Sequence, residues 1–336
     1  MVVTAKAMER DDGKALELKP ESGATADTRQ PPVDECVYLV GRTPVNTFLS
    51  FMRSQAVDIP GDGHARDPRA LVEEWRAASD HTRQLEHVEA GWADDAKIGA
   101  LDPRLEPLRA QVLRDPLFHH AFHVLPTEIG VVELDRLVIF QRLINLSFVR
   151  ELKERLGPAP SDAAVFTFCL PVDHPQPPIR WLRSRSDVFV FVSPSNDMRF
   201  LDSVVLQPGQ IAGYPPSGAV SGVVGLVVGF GSNFLNVIHV ENRQILNNGS
   251  HRAFALRDMG ITHAPCIIQH VPSREDFKVV AGSELKRDPD LYLTNPRPPV
   301  FKDYFDPKVR KVVAVVRKLR QVRVRFEVEE TDIPAA

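Results

Sequence analysis

The sequence predicts an α+β protein: a helical N-terminal region over residues 35–157, then a mixed-sheet domain over residues 164–275. Three observations carry this. Helix-start signals with proline at the first helical position recur in the first half. Short β-rich runs bounded by Gly and Pro fill the second half. A strand–helix–strand pattern then surrounds the stretch Asn247-Asn248-Gly249-Ser250-His251-Arg252.

Residues 1–34 are polar, without an apolar period, and read as a disordered tail. Thr43 before Pro44 predicts a capped helix that turns Phe48, Leu49 and Met52 inward. Asp67-Pro68 repeats the signal before Leu71, Trp75 and Leu85, and Asp102-Pro103 before Leu105, Leu108 and Val112. The strongest helical pattern covers 131–156, where Leu134, Leu137, Val138, Phe140, Ile144, Phe148 and Leu152 keep to one face and Gly157 stops it. Residues 157–161, Gly-Pro-Ala-Pro-Ser, read as a linker. After it, 164–170, 187–192, 200–206, 222–230 and 234–240 read as strands, followed by 244–246, the motif helix ending at Gly260, and a strand over 265–271. Residues 276–336 read as a Pro-rich extended segment and a basic tail, with 322–328 alternating as an exposed strand does.

Composition narrows the function classes. The 336 residues are 43% hydrophobic and 25% charged, as in ordinary globular proteins. A net charge of -3 gives no general attraction to nucleic acid or anionic membrane. The three cysteines, Cys36, Cys169 and Cys266, show no metal spacing and an odd count. The N-terminus lacks the apolar core of a secretory signal, and no run reaches the ~18 apolar residues of a membrane span. The expected compartment is the cytoplasm, with no membrane contact.

The motif has a physical logic. Gly249 lets backbone approach a ligand, and Ser250 can cap the helix or offer a hydroxyl. His251 and Arg252 place donors beside unpaired helix N–H groups, which with the dipole favour an anion. The alternative is a plain Asn-Gly turn with solvated first-turn cations. Those cations oppose the helix dipole, which is the argument for an anionic partner.

Asn248-Gly249-Ser250-His251-Arg252-Ala253, with Ala255-Leu256, Gly260-Ile261 and Ala264-Pro265, resembles the nucleotide-binding core of the ParB/sulfiredoxin-like superfamily over residues 185–275. The resemblance implies that Asn248, Gly249, Ser250, His251 and Arg252 line a site for nucleotide phosphates. The ligand is then a nucleoside triphosphate, ATP or CTP, with Mg²⁺ bridging its phosphates and NTP hydrolysis or phosphoryl transfer as the activity. Sulfiredoxin-type members carry cysteine where this chain has Ser250, which disfavours sulfinate reduction. The helix-turn-helix that follows the core in segregation proteins has no counterpart after Val271. Glu241, at the turn before the motif strand, is the candidate catalytic carboxylate.

Two other classes stay open: a non-catalytic interaction protein that keeps the fold, and a nucleic-acid binding or processing protein. Protein partners would meet the helical region or the Pro-rich stretch Pro296-Arg297-Pro298-Pro299-Val300-Phe301-Lys302, whose alternative is wrapping its own domain. Residues 308–325 hold eight basic residues that could meet phosphates, but acids follow at once. His119 and His123, with Glu128 or Glu133, have helical metal spacing; a buried aromatic turn explains them too. The polar loop Ser193, Ser195, Asn196, Asp197 and Arg199 is a candidate to face the nucleotide or a simple turn.

Overall fold

A computed structural model describes residues 32–57, 67–174, 176–211, 213 and 218–334. The expected tail lies outside these residues except at its end, where Val33 and Asp34 begin a strand. The elements in order are β1 (Val33–Leu39), α1 (Val45–Ser54), β2 (Ala56–Val57), α2 (Pro68–Val88), α3 (Glu106–Arg114), α4 (Pro116–Phe122), β3 (Thr127–Glu133), β4 (Leu143–Asn145), α5 (Leu146–Leu156) and α6 (Asp162–Cys169). Then come β5 (Arg180–Arg185), β6 (Val188–Ser193), β7 (Met198–Leu206), β8 (Val223–Phe230), β9 (Asn236–Val240), β10 (Arg243–Asn248), α7 (Ser250–Asp258) and β11 (His263–Val271). The chain closes with α8 (Arg274–Val280), α9 (Ser283–Arg287), α10 (Pro289–Leu293), β12 (Arg310–Val316) and β13 (Arg320–Arg325). Helix and sheet are both abundant, so the α+β class stands.

The sheets interleave distant parts of the chain. One has the order β2-β12-β1-β4, and β1 pairs antiparallel with β12 from Val33 opposite Val316 to Leu39 opposite Arg310. The mixed sheet has the order β10-β9-β11-β3, with β9 and β11 parallel and the outer pairs antiparallel. The strand–helix–strand unit β10–α7–β11 belongs to it, as expected. β3 supplies its far edge from the segment expected to be helical. Strand pairing therefore crosses the boundaries expected at 157 and 275, and Val33–Ala336 forms one compact unit. β13-β6-β5 and the ribbon β7-β8 complete the sheets among the described residues.

Local chemistry explains most helix starts. Asp67 accepts from the Arg69 N–H with Pro68 at the first position, and Asp102 accepts from the Arg104 N–H in the same way. Thr43 departs from expectation: its hydroxyl bonds the Leu39 carbonyl, and α1 begins without a side-chain cap. Phe48 and Met52 still pack inward.

Two expected elements are corrected. The helix over 131–156 is instead the end of β3, a 3₁₀ turn at Leu134–Arg136, β4 and α5. Leu134, Leu137, Val138, Ile139 and Ile144 are all at most 1% exposed, although the segment is not a helix there. Its backbone bonds outward to Gln244, Leu246, Pro299 and Phe301. A 3.6-residue pattern cannot separate that from a one-sided helix. Conversely, 164–170 is not a strand but α6, capped by the Ser161 hydroxyl accepting from the Ala164 N–H. The Pro-rich stretch wraps its own fold: Val300, Phe301 and Tyr304 are fully buried, and Arg297 pairs with Asp303 and Glu89. It is not free to dock a partner.

Candidate functional site

Gly249 sets the geometry of the motif. Its φ of 95° is left-handed, and a Cβ there would lie 3.1 Å from Leu235 Cγ and 3.2 Å from Leu235 Cα. Glycine is required on both counts. Asn248 secures the approach: its Oδ1 accepts from the Gly249 N–H at 2.9 Å, and its Nδ2 donates to the carbonyls of Ser232 and Phe234. Asn247 donates to Asn236 Oδ1 at 2.8 Å. β10, the 232–234 loop and α7 are thus locked together by side-chain amides.

α7 starts without a side-chain cap among the described residues. Ala253 N–H donates to the Gly249 carbonyl, so the N–H groups of Ser250, His251 and Arg252 precede the first intrahelical bond. This is the anion-seeking end of a helix, and Ser250 beside it is 8% exposed.

The two flanking bases are not free, which corrects the expectation for them. His251 Nε2 accepts from the Asn145 N–H at 3.0 Å, and Phe148 meets the ring edge-on at 5.5 Å. Burial, with Arg252 adjoining, lowers its pKa to about 4, so the ring is neutral at pH 7 with its proton on Nδ1. Arg252 is 7% exposed and donates from Nη1 to Phe168 O (3.3 Å), Cys169 O (2.9 Å) and Asn233 O (2.6 Å). Phe168 and Cys169 end α6, whose C-terminal carbonyls carry partial negative charge. Burial lowers the Arg252 pKa to about 10, which still leaves a cation at pH 7.

These residues floor a cleft of about 1030 Å³. Phe148, Leu152, Phe168 and Phe230 give it apolar walls, and Asp173, His174 and Asp197 add polar groups. Asp197 belongs to the polar loop singled out in the sequence; burial raises its pKa, and Arg199 pairs with it at 3.1 Å. His174 was not legible. It has a φ of 38°, its Nε2 sits 2.5 Å from buried Asp115 Oδ2, and its buried Nδ1 has no partner among the described residues. Asp115 Oδ1 also accepts from the Leu117 N–H, so this carboxylate is held at both oxygens. Nothing in the run Pro171-Val172-Asp173-His174 has a period or spacing that would mark it.

Glu241 is not brought to the site. It stands at the β9–β10 turn with a φ of 54°, at the opposite end of β10 from the motif, and pairs with Arg274 at 2.7 Å. The histidines of α4 do not form a metal site either. His119 and His120 are exposed, His123 bonds the His120 carbonyl, and Glu128 bonds His270. Among the described residues no group of three His, Cys, Asp or Glu is placed to hold a metal. All three cysteines are buried, with Cys36 and Cys169 pushed up to about 12 and Cys266 well above the ordinary thiol range by burial. They are inert thiols. No described helix is long and apolar enough to cross a membrane.

No family model, curated protein or solved structure matches this chain.

Proposed function

We propose that the cleft binds a nucleotide, with its phosphates on the open first turn of α7 and its base between the aromatic walls. One observation carries the reading: an uncapped helix N-terminus, entered through a left-handed glycine, opens on a large half-apolar cleft beside a desolvated cation. Ser250 and the backbone N–H groups of residues 250–252 take the phosphate oxygens. Arg252 adds charge from beneath rather than a bidentate grip, since Nη1 is engaged with carbonyls. Asp173 and Asp197 are the carboxylates lining the cleft, and a nucleotide that arrives with Mg²⁺ would bring the ion between them and its phosphates. ATP or CTP is the ligand class.

The binding test is thermal unfolding against ATP, CTP, GTP and ADP, with and without Mg²⁺. A hundredfold excess over Kd adds about 2.7 kcal/mol to the native state. Ser250→Asp is the informative variant: a carboxylate at this position suits the helix dipole but repels phosphate. The expected result is a rise in the wild type that Ser250→Asp abolishes while folding normally. No rise with any nucleotide, or an equal rise in the variant, would sink the proposal.

A further inference from the structure

A second surface, separate from the cleft, is built for a different ligand. In the sheet β13-β6-β5 the pairing is in register: Trp181 lies opposite Phe191, which lies opposite Val322, and Arg183 lies opposite Phe189, which lies opposite Val324. Phe326 extends the row, held by its N–H to the Asp187 carbonyl. Strand alternation therefore puts Trp181, Arg183, Phe189, Phe191 and Phe326 on one face. Trp181 is 65% exposed and Phe326 38%, while Phe189 and Phe191 are half-buried. The rings are organised: Phe326 stacks on Phe189 at 6.3 Å and 25°, and the Arg183 guanidinium sits 5.7 Å over Phe189.

The charge here opposes that of the whole chain. Residues 180–193 and 318–326 hold seven basic side chains and one acid, Asp187, in a protein of net charge -3. The same alternation turns Arg180, Arg185, Arg323 and Arg325 to the other face with Val188, Val190 and Val192, and leaves Arg183 as the basic side chain among the rings. Asp187 offsets one of them, lying 3.8 Å from Arg325.

The geometry points to a binding face for single-stranded nucleic acid. Bases stack on Trp181 and on the Phe189–Phe326 pair, and Arg183 between them meets a phosphate. Exposed rings are what separate this from simple charge attraction, because a duplex keeps its base faces covered. The acidic run Glu327–Asp332 leaves the sheet beyond Phe326, so the rings, not the tail's charge, must hold the ligand.

The test uses the full chain and fluorescence anisotropy with labelled oligo(U) and oligo(dT) of about 15 nucleotides, within the site sizes of such surfaces. A duplex of equal length, a poly-glutamate peptide and anionic vesicles serve as competitors. Trp181→Ala alters an exposed side chain and leaves the cleft intact, so an unchanged thermal unfolding midpoint serves as its folding control. The expected result is single-strand binding with quenched Trp181 emission, steep weakening with salt, and a Kd raised about fivefold or more in Trp181→Ala. Trp181→Phe should restore most of it. Absence of single-strand binding at low salt, equal affinity for duplex, or indifference to Trp181→Ala and Phe326→Ala overturns the assignment. Equal, Trp181-dependent competition by poly-glutamate or vesicles overturns it in favour of an acidic protein or a lipid surface.

Discussion

His251 should make this fold lose stability in mild acid. Its Nε2 accepts from the Asn145 N–H, and burial holds the ring neutral down to about pH 4. In the unfolded chain the ring titrates at its ordinary ~6.5. Between those values the unfolded state binds more protons than the folded one, so stability falls as pH drops through 6.5 and levels off below 4. The full loss is roughly 3 kcal/mol, and about 1.4 kcal/mol of it is reached by pH 5.5. Part of the ring faces the cleft, so these are upper figures. That is a large share of a typical domain stability of about 5–15 kcal/mol. Urea denaturation across pH 7.5–4.5 measures it, with His251→Gln as the comparison. The glutamine carbonyl can accept from Asn145 and does not titrate. His239, lowered by burial and by His270, contributes a slope of the same sign that both proteins share. The variant should lose less stability in acid, with the gap opening below pH 6.5. Parallel curves for the two proteins would show that His251 titrates normally and that its buried acceptor role is wrong.

Three further outcomes follow from the same packing. Gly249→Ala should destabilise by about 1–3 kcal/mol in urea denaturation, because φ 95° and the Leu235 contact both disfavour a Cβ. Asp303→Ala should cost about 1–3 kcal/mol by the same measurement, since it leaves the fully buried Arg297 guanidinium with Glu89 as its one remaining carboxylate and the Val300 N–H unpaired. A thiol reagent at pH 8 should find Cys36, Cys169 and Cys266 unreactive in the native protein and all three reactive in urea; fast native labelling would contradict their burial.

What could be read from sequence was local. The Asn-Gly turn, the helix that ends at Gly260 and the strand after it each depend on neighbours a few residues away, and all three are found. The polar loop at 193–199 was also visible as a candidate, and Ser195, Asn196 and Asp197 do line the cleft. What failed depended on distant partners. Residues 134–144 bond to strands and turns more than ninety residues later, so their apolar spacing misled. Glu241 was placed near the motif by sequence distance, but a strand carries its ends apart, and the six residues of β10 run from the turn to Asn248. His174 becomes noticeable only when α4 brings Asp115 to it across fifty-nine positions.

An anion at α7 is also favoured for a different reason in the folded chain than in the sequence. From the sequence, two cations at the start of a helix oppose the dipole and so ask for a negative partner. The structure removes both parts of that reason. His251 is neutral, and Arg252 is already met by the carbonyl end of α6 and by Asn233. Helix α6 thus supplies the negative end that the first turn of α7 appeared to need. The remaining case for phosphate is the uncapped N–H groups themselves and the space above them. The two variants therefore separate cleanly. Arg252→Gln should unsettle the α6–α7 junction, lowering stability whether or not nucleotide is present. Ser250→Asp should leave stability near wild type and remove only the nucleotide response. If Arg252→Gln folds as well as wild type and loses only binding, then the guanidinium serves the ligand rather than the fold, and the carbonyl contacts are incidental.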